Sequence, residues 1–373
     1  MRLISRRIAS LGTALLLGTS AADAGYSETN LVSNIAGLAA NTDVNLKNPW
    51  GVSFAPTGPF WVSNQGSATS TLYNSAGTPQ SLIVGVGSSL VPGSGPTGQV
   101  FNNNSNNDFL VGAAKSSFLF DNQNGQIMAW SGGTTTAVVA ATTAGASYEG
   151  LAIASVGGHN QLYAADVAGN KIDVFDSKFT NLNSTGFKDA NLTNQGFSIT
   201  NVQTIGSNIY VTYANASNGA DPSKNGGAVA IYDLNGTLIR DFSNGASGRL
   251  QDPWGVVLAP ASFGQYGGDL LVGNTDNGEI NAYNPLDGSY LGNVATITGT
   301  IANPSSNGLW ALTFGNGGSG GAANSLYAFA GINNQVDGLI VRIDAVPEPT
   351  SALMVAVGGV VAVGFARRGR KRA

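Results

Sequence analysis

Oxygen-bearing side chains recur at matching places in this sequence. Asn48, Glu149, Gln195, Asp252 and Asn307 stand at the start of short apolar runs, and Asn64, Asp121, Asp166 and Asn274 close the runs that follow. If the elements carrying them converge, they make a ring of carboxylates and amides. Such a ring suits a hard cation such as Ca2+, which takes six to eight oxygen ligands. Asn and Asp also cap turns by bonding nearby backbone, so a purely structural role competes at each position. Other chemistries are poorly supplied. Cysteine is absent, which excludes disulfides, thiolate catalysis and cysteine metal sites. His159 is the single histidine. It sits in Gly157-Gly158-His159-Asn160, a hairpin turn expected on the face away from the oxygen ring, which argues against a Ser-His-Asp triad there. No G-x-S-x-G elbow occurs, and the glycine-rich stretch at 317–321 lacks the Lys-Ser/Thr and helix of a phosphate cradle. The stretch Asn274–Gly278 is too short for a helix-loop calcium site and lacks its distal Glu. Trp50 and Trp254 have two readings, a stacking platform for a sugar or core between sheets.

The elements that must position these residues come from a repeat. Asn48-Pro49-Trp50-Gly51-Val52 returns as Asp252-Pro253-Trp254-Gly255-Val256, with weaker echoes at Tyr148–Ala154, Gln195–Thr200 and Asn307–Phe314. Most are followed by a second pattern (Phe60–Asn64, Leu162–Asp166, Leu270–Asn274) and a third (Asn170–Asp176, Gly278–Tyr283, Gly338–Asp344). The runs are short, alternating or wholly apolar, and bounded by Gly, Asn and Asp, which is strand punctuation. Six units of about 50 residues, each with room for four strands, have the period of propeller blades. The unit around Asn107–Trp130 is the least regular, and the Asn102–Asn107 run reads as a polar loop. The last unit lacks a fourth strand, while Thr29–Ile35 is a strand without a partner. The N-terminal strand is therefore expected to complete the last blade and cover its edge. A β-sandwich pair does not account for a three-part repeat in constant order. The expected fold is all-β, a six-bladed β-propeller of four-stranded blades closed by the N-terminal strand, over residues 25–345.

The two ends carry different instructions. Residues 1–24 combine three arginines, a short apolar stretch and Ala22-Asp23-Ala24, the layout of a secretory signal peptide. Residues 346–373 run from Pro347-Glu348-Pro349 through an uncharged stretch, 350–366, to Arg367, Arg368, Arg370, Lys371 and Arg372. That stretch is just long enough for a short transmembrane helix, and the basic end would stay on the cytoplasmic side. Between the ends lie nine basic and 19 acidic residues. So acidic a body has no electrostatic footprint for nucleic acid.

Pro-Glu-Pro, a short span and a basic end, in that order, resemble the PEP-CTERM sorting signal. That resemblance implies an exosortase-type sorting enzyme as partner, export to the cell envelope or outside the cell, and at least transient anchoring in the inner membrane. A permanent single-span anchor is the alternative. The blade pattern resembles NHL-type and lactonase-type six-bladed propellers. In lactonase-type propellers a catalytic divalent metal is held by Glu, Asn and Asp, so the resemblance singles out Glu149, Asp166, Asp252 and Asn274 as candidate Ca2+ ligands. Asn48, Asn64, Asp121, Gln195 and Asn307 complete the ligand-facing set. The function expected is that of a non-catalytic binding or interaction protein, with exopolysaccharide or surface proteins as partners. The alternatives are a structural part of a surface complex and a metal-dependent hydrolase of lactonase type with its site at the axis.

Overall fold

Strands form where the repeat places them, because each run pairs its apolar face with the next blade. The computed structural model describes residues 25–103, 106–215, 226–243, 249–297 and 308–346. Six sheets surround one axis. Their inner strands are Pro49–Ser53, Pro96–Phe101, Tyr148–Val156, Phe197–Ile205, Pro253–Leu258 and Gly308–Phe314, each adjacent to the next and the last adjacent to the first. The protein is thus an all-β, six-bladed propeller. Tyr26–Ser33 pairs antiparallel with Asp337–Ala345, from Tyr26 opposite Ala345 to Ser33 opposite Leu339, and closes the sixth blade as expected.

The repeated Pro-x-Gly has a physical cause. In blades one, three, five and six the inner strand shifts register near its start, between Pro49 and Val52, Tyr148 and Leu151, Pro253 and Val256, and Leu309 and Leu312. Neighbouring inner strands come closest at this level. A Cβ on Gly51 would strike the Thr97 carbonyl, one on Gly98 the Leu151 amide, and one on Gly255 the Trp310 carbonyl. Only glycine permits that approach. The residue ahead of the motif is Asn48 or Asp252 because it takes φ +46° or +54°, a left-handed conformation that Asn and Asp tolerate best.

Two expectations need correction. Blade three has three strands, not four. After Lys171–Phe175 the chain makes a single bridge, Phe175 to Asn181, and then supplies Phe187 and the short helix Ala190–Asn194. Phe187 and Leu192 are buried in the core shared by blades three and four, doing the covering work of the missing strand. Blade two begins earlier than the irregular 107–130 region suggested, at Pro96–Phe101. Asn102, at the head of the polar run, is buried. Its amide donates to the Asp108 and Ser116 carbonyls at 3.0 and 2.9 Å. Residues 1–24, expected to be a signal peptide, and Pro347, Glu348, Pro349, Arg367 and Arg368 of the expected PEP-CTERM segment lie outside the described residues. No helix among the described residues is long and apolar enough to cross a membrane.

Candidate functional site

The register shift defines one level of the disc. There Trp50, Glu149, Trp254 and Trp310 occupy equivalent positions, each the residue after the last regular pair. Three of the four are indoles, and they meet. Trp50 stacks on Trp310 with centroids 3.7 Å apart, and Trp254 sits edge-on to both, at 6.3 Å from Trp50 and 5.8 Å from Trp310. Blades five and one both flank blade six, so the contact between Trp254 and Trp50 passes in front of it. All three are buried. They form a core plug, not an open sugar platform. The Trp310 Nε1 donates to Asn48 Oδ1 at 3.0 Å, which fixes the role of Asn48, and the Asn48 amide donates to Gln65 at 3.2 Å.

At Glu149 the same position carries a carboxylate, and a recess of about 480 Å³ opens. Its walls come from blades three, four and five. Glu149, Asp252 and Asp276 bring carboxylates, Ser198 and Thr200 hydroxyls, and Asn215 an amide. No basic side chain and no histidine is among the described residues lining it. The recess therefore lies to one side of the plugged axis. Burial raises the Glu149 carboxyl above its usual range. A hydrogen bond from Gln123 at 2.9 Å pulls it back, and the charge of Asp252 pushes it up. Burial also lifts Asp252, to about 6, with Asp276 adding to the rise and Thr275 opposing it. Each carboxylate thus pays for removal from water and for like charge nearby.

The remaining ring residues go elsewhere. Asp166 accepts from the Ser147 and Gly169 amides, both at 3.0 Å, and Lys171 approaches it at 3.6 Å. Asn274 accepts from the Gln251 amide at 3.1 Å and donates to the Arg249 carbonyl at 2.8 Å. Both side chains hold turns, and neither lines the recess. Asn64 is buried and donates to Thr71 at 2.8 Å. Asp121 is buried beneath the face. It accepts from Thr97 at 2.8 Å and from the Gly98 amide at 2.5 Å, and burial pushes its carboxyl up to about 7. Gln195 caps the short helix and donates to Asn191. Asn307 lies outside the described residues. Of the four candidate ligands, Glu149 and Asp252 alone share the recess. Among the described residues no group of three or more acidic, histidine or cysteine side chains is arranged to hold a metal ion. A cation there would rest on Glu149 and Asp252 with neutral oxygens from Ser198, Thr200 and Asn215. His159 is at the opposite face, its Nδ1 2.8 Å from the buried Asp108 carboxylate.

Sequence reasoning missed Asp276, Ser198 and Thr200. Asp276 follows strand two of blade five by two residues, inside a stretch rejected as a calcium loop. Ser198 and Thr200 sit within the inner strand of blade four, where the motif lacks its glycine.

Fold and site together define a six-bladed β-propeller with an acidic recess beside an indole-plugged axis. The chain belongs to the family of uncharacterized protein R648 of Acanthamoeba polyphaga mimivirus, with 31% identity over 284 residues, 72% of this chain and 69% of the relative. Uncharacterized protein L690 of the same virus is 34% identical over 159 residues, 41% of each chain. No family model matches the chain. Among solved structures, hydrazine synthase of Kuenenia stuttgartiensis is similar at a TM-score of 0.47 with 13% identity, covering 80% of this chain and 77% of that one. Virginiamycin B lyase from Staphylococcus aureus is similar at 0.45 with 11% identity, covering 86% and 100%. Scores at this level carry no inference about chemistry.

Proposed function

We propose that the protein is an exported, envelope- or matrix-associated propeller that acts by binding, without turnover, and that the recess over blades three to five takes a positively charged ligand. The single observation carrying this is the pair of half-buried carboxylates, Glu149 and Asp252, that share the recess, both raised by burial and by like charge, with no cationic side chain among the described residues lining it. Ionising this pair costs stability in the free protein, and a bound cation would offset that cost. Ca2+ is one candidate, with hydroxyl and amide oxygens as its neutral ligands. An organic amine is the other. Delivery rests on the ends of the chain: residues 1–24 as signal peptide and 346–373 as PEP-CTERM segment, read by an exosortase-type enzyme. Exopolysaccharide or surface proteins are the proposed partners in that setting.

The raised Glu149 carboxyl also favours a second reading, a hydrolase of lactonase type with Glu149 as base, since a useful general base has a pKa drawn toward neutrality. One experiment separates the two. Thermal melts at pH 8 with CaCl2, spermidine or EDTA should show saturable stabilisation by a cation, worth about 2.7 kcal/mol at a hundredfold excess over Kd, and its loss in Glu149→Gln. Equal melts under all conditions would reject the cation site. Lactone hydrolysis that disappears in Glu149→Gln would replace binding with catalysis.

A further inference from the structure

The inner strands that begin beside the acidic recess end at the opposite mouth, where a second cavity of about 490 Å³ opens. Its size is that of small-molecule sites in general. A narrow extension of about 40 Å³ leads from it along the axis to Trp254. Among the described residues lining it, none is charged. We propose that this mouth binds a neutral oligosaccharide.

Three observations support the assignment. First, three of the polar side chains, Thr204, Thr313 and Asn160, present acceptors. Thr204 donates its hydroxyl proton to the Ile153 carbonyl at 3.0 Å and Thr313 donates to the Phe314 carbonyl at 3.1 Å. Their lone pairs are left to face a ligand rich in O–H donors. The Asn160 amide likewise donates inward, to Asn102 at 2.8 Å. Second, apolar rings flank these groups and are held in place. Phe54 packs edge-on against Phe60 at 5.9 Å, and Phe101 leans on Phe118 at 5.2 Å. Half-buried rings fixed in this way offer a surface to the C–H face of a pyranose at little cost in side-chain entropy. Third, charge selects against the competitors. An anionic chain would meet hydroxyl acceptors with no lysine or arginine among the described lining residues, and a cationic one is better served by the acidic recess at the other mouth. Gln203, exposed at the rim, has both donor and acceptor to offer and makes the entry contact.

The experiment is calorimetric titration of the full-length protein with cellotetraose, maltotetraose and xylotetraose, with an alginate oligomer as anionic control. At least one neutral tetrasaccharide should bind saturably and alginate should not. Gln203→Ala and Thr313→Val, chosen because neither removes a core side chain, should each weaken binding by about tenfold, with melting unchanged. Glu149→Gln should bind the sugar as the wild type does, which separates this site from the recess. The proposal is overturned if no neutral tetrasaccharide binds up to about 10 mM. It is equally overturned if both pocket variants bind normally, or if Glu149→Gln abolishes sugar binding.

Discussion

At the mouth where the inner strands begin, the recess is acidic, ringed by hydroxyls and an amide, and set beside three packed indoles. At the mouth where the same strands end, no described residue lining the cavity is charged, and phenylalanine rings flank it. The contrast arises within single strands. Tyr148–Val156 gives Glu149 to the first mouth, and Leu151, Ile153 and Ser155 to the second. Propeller geometry makes this possible, because each inner strand runs from one face to the other. A bulge beyond the first residues resets which side chains look inward. Two ligand sites of different chemistry can thus share one scaffold without sharing a residue.

The largest perturbation should strike both mouths together. Gly255→Ala places a Cβ against the Trp310 carbonyl. Backbone cannot yield there, so about 3 kcal/mol of stability should be lost, together with both binding activities. Gly132→Ala, whose new Cβ meets nothing within 4 Å, should melt as wild type does. Equal melting of the two variants would show that the close approach of inner strands does not fix the disc.

A smaller change should touch the acidic mouth alone. The Asp252 carboxyl is raised from 3.8 to about 6 in the folded protein. The folded state then holds its proton over a range where the unfolded chain has lost it, so stability falls as pH climbs from about 4 to about 6 and levels off above. Asp252→Asn removes that loss. Asparagine already occupies the equivalent left-handed position at Asn48, so backbone fit is preserved. The variant should gain about 3 kcal/mol at pH 8 and nothing at pH 4. An unchanged pH profile of the melting temperature would mean Asp252 is not desolvated as described.

The smallest effect belongs to the neutral face. His159→Ala leaves the buried Asp108 carboxylate with the Asn160 amide at 2.7 Å. The histidine side chain is 61% exposed, so the loss should be about 1 kcal/mol or less. It should appear as faster hydrogen exchange at Asn160. A loss several times larger would mean that this pair organises the whole neutral mouth.

Much of the architecture was legible because it repeats. Gly51 and Gly255 were visible as a motif, and the spare strand at the start, with the strand missing from the last blade, announced the closure. The blade-two inner strand was hidden because Pro96-Thr97-Gly98 carries Thr where its relatives carry Trp, although the proline and glycine that matter are present. Blade three lost its fourth strand without notice, since Phe187 and Leu192 replace a periodic pattern with two isolated anchors. The candidate site was half legible. Position in the repeat put Glu149 and Asp252 on one face, and they share a recess. Asp166 and Asn274 occupy the same kind of position, but their oxygens go to backbone amides of adjoining loops, at Ser147 and Gly169 and at Gln251, a choice decided by loop conformation and not by residue type. Asp276 lines the recess through such a loop, and Thr200 from within the inner strand of blade four.

Closure by the first strand has a consequence for how the molecule is made. Tyr26 is paired with Ala345, and the Val346 amide donates to the Gly25 carbonyl at 2.9 Å. A ribosome that has released five blades has still not released the partner of the first segment. The early strand must wait, unpaired, until Asp337–Ala345 has emerged. The ends also leave the rim side by side, so joining them with a short linker and cutting at the Gly157-Gly158 hairpin should give a circular permutant with the same disc.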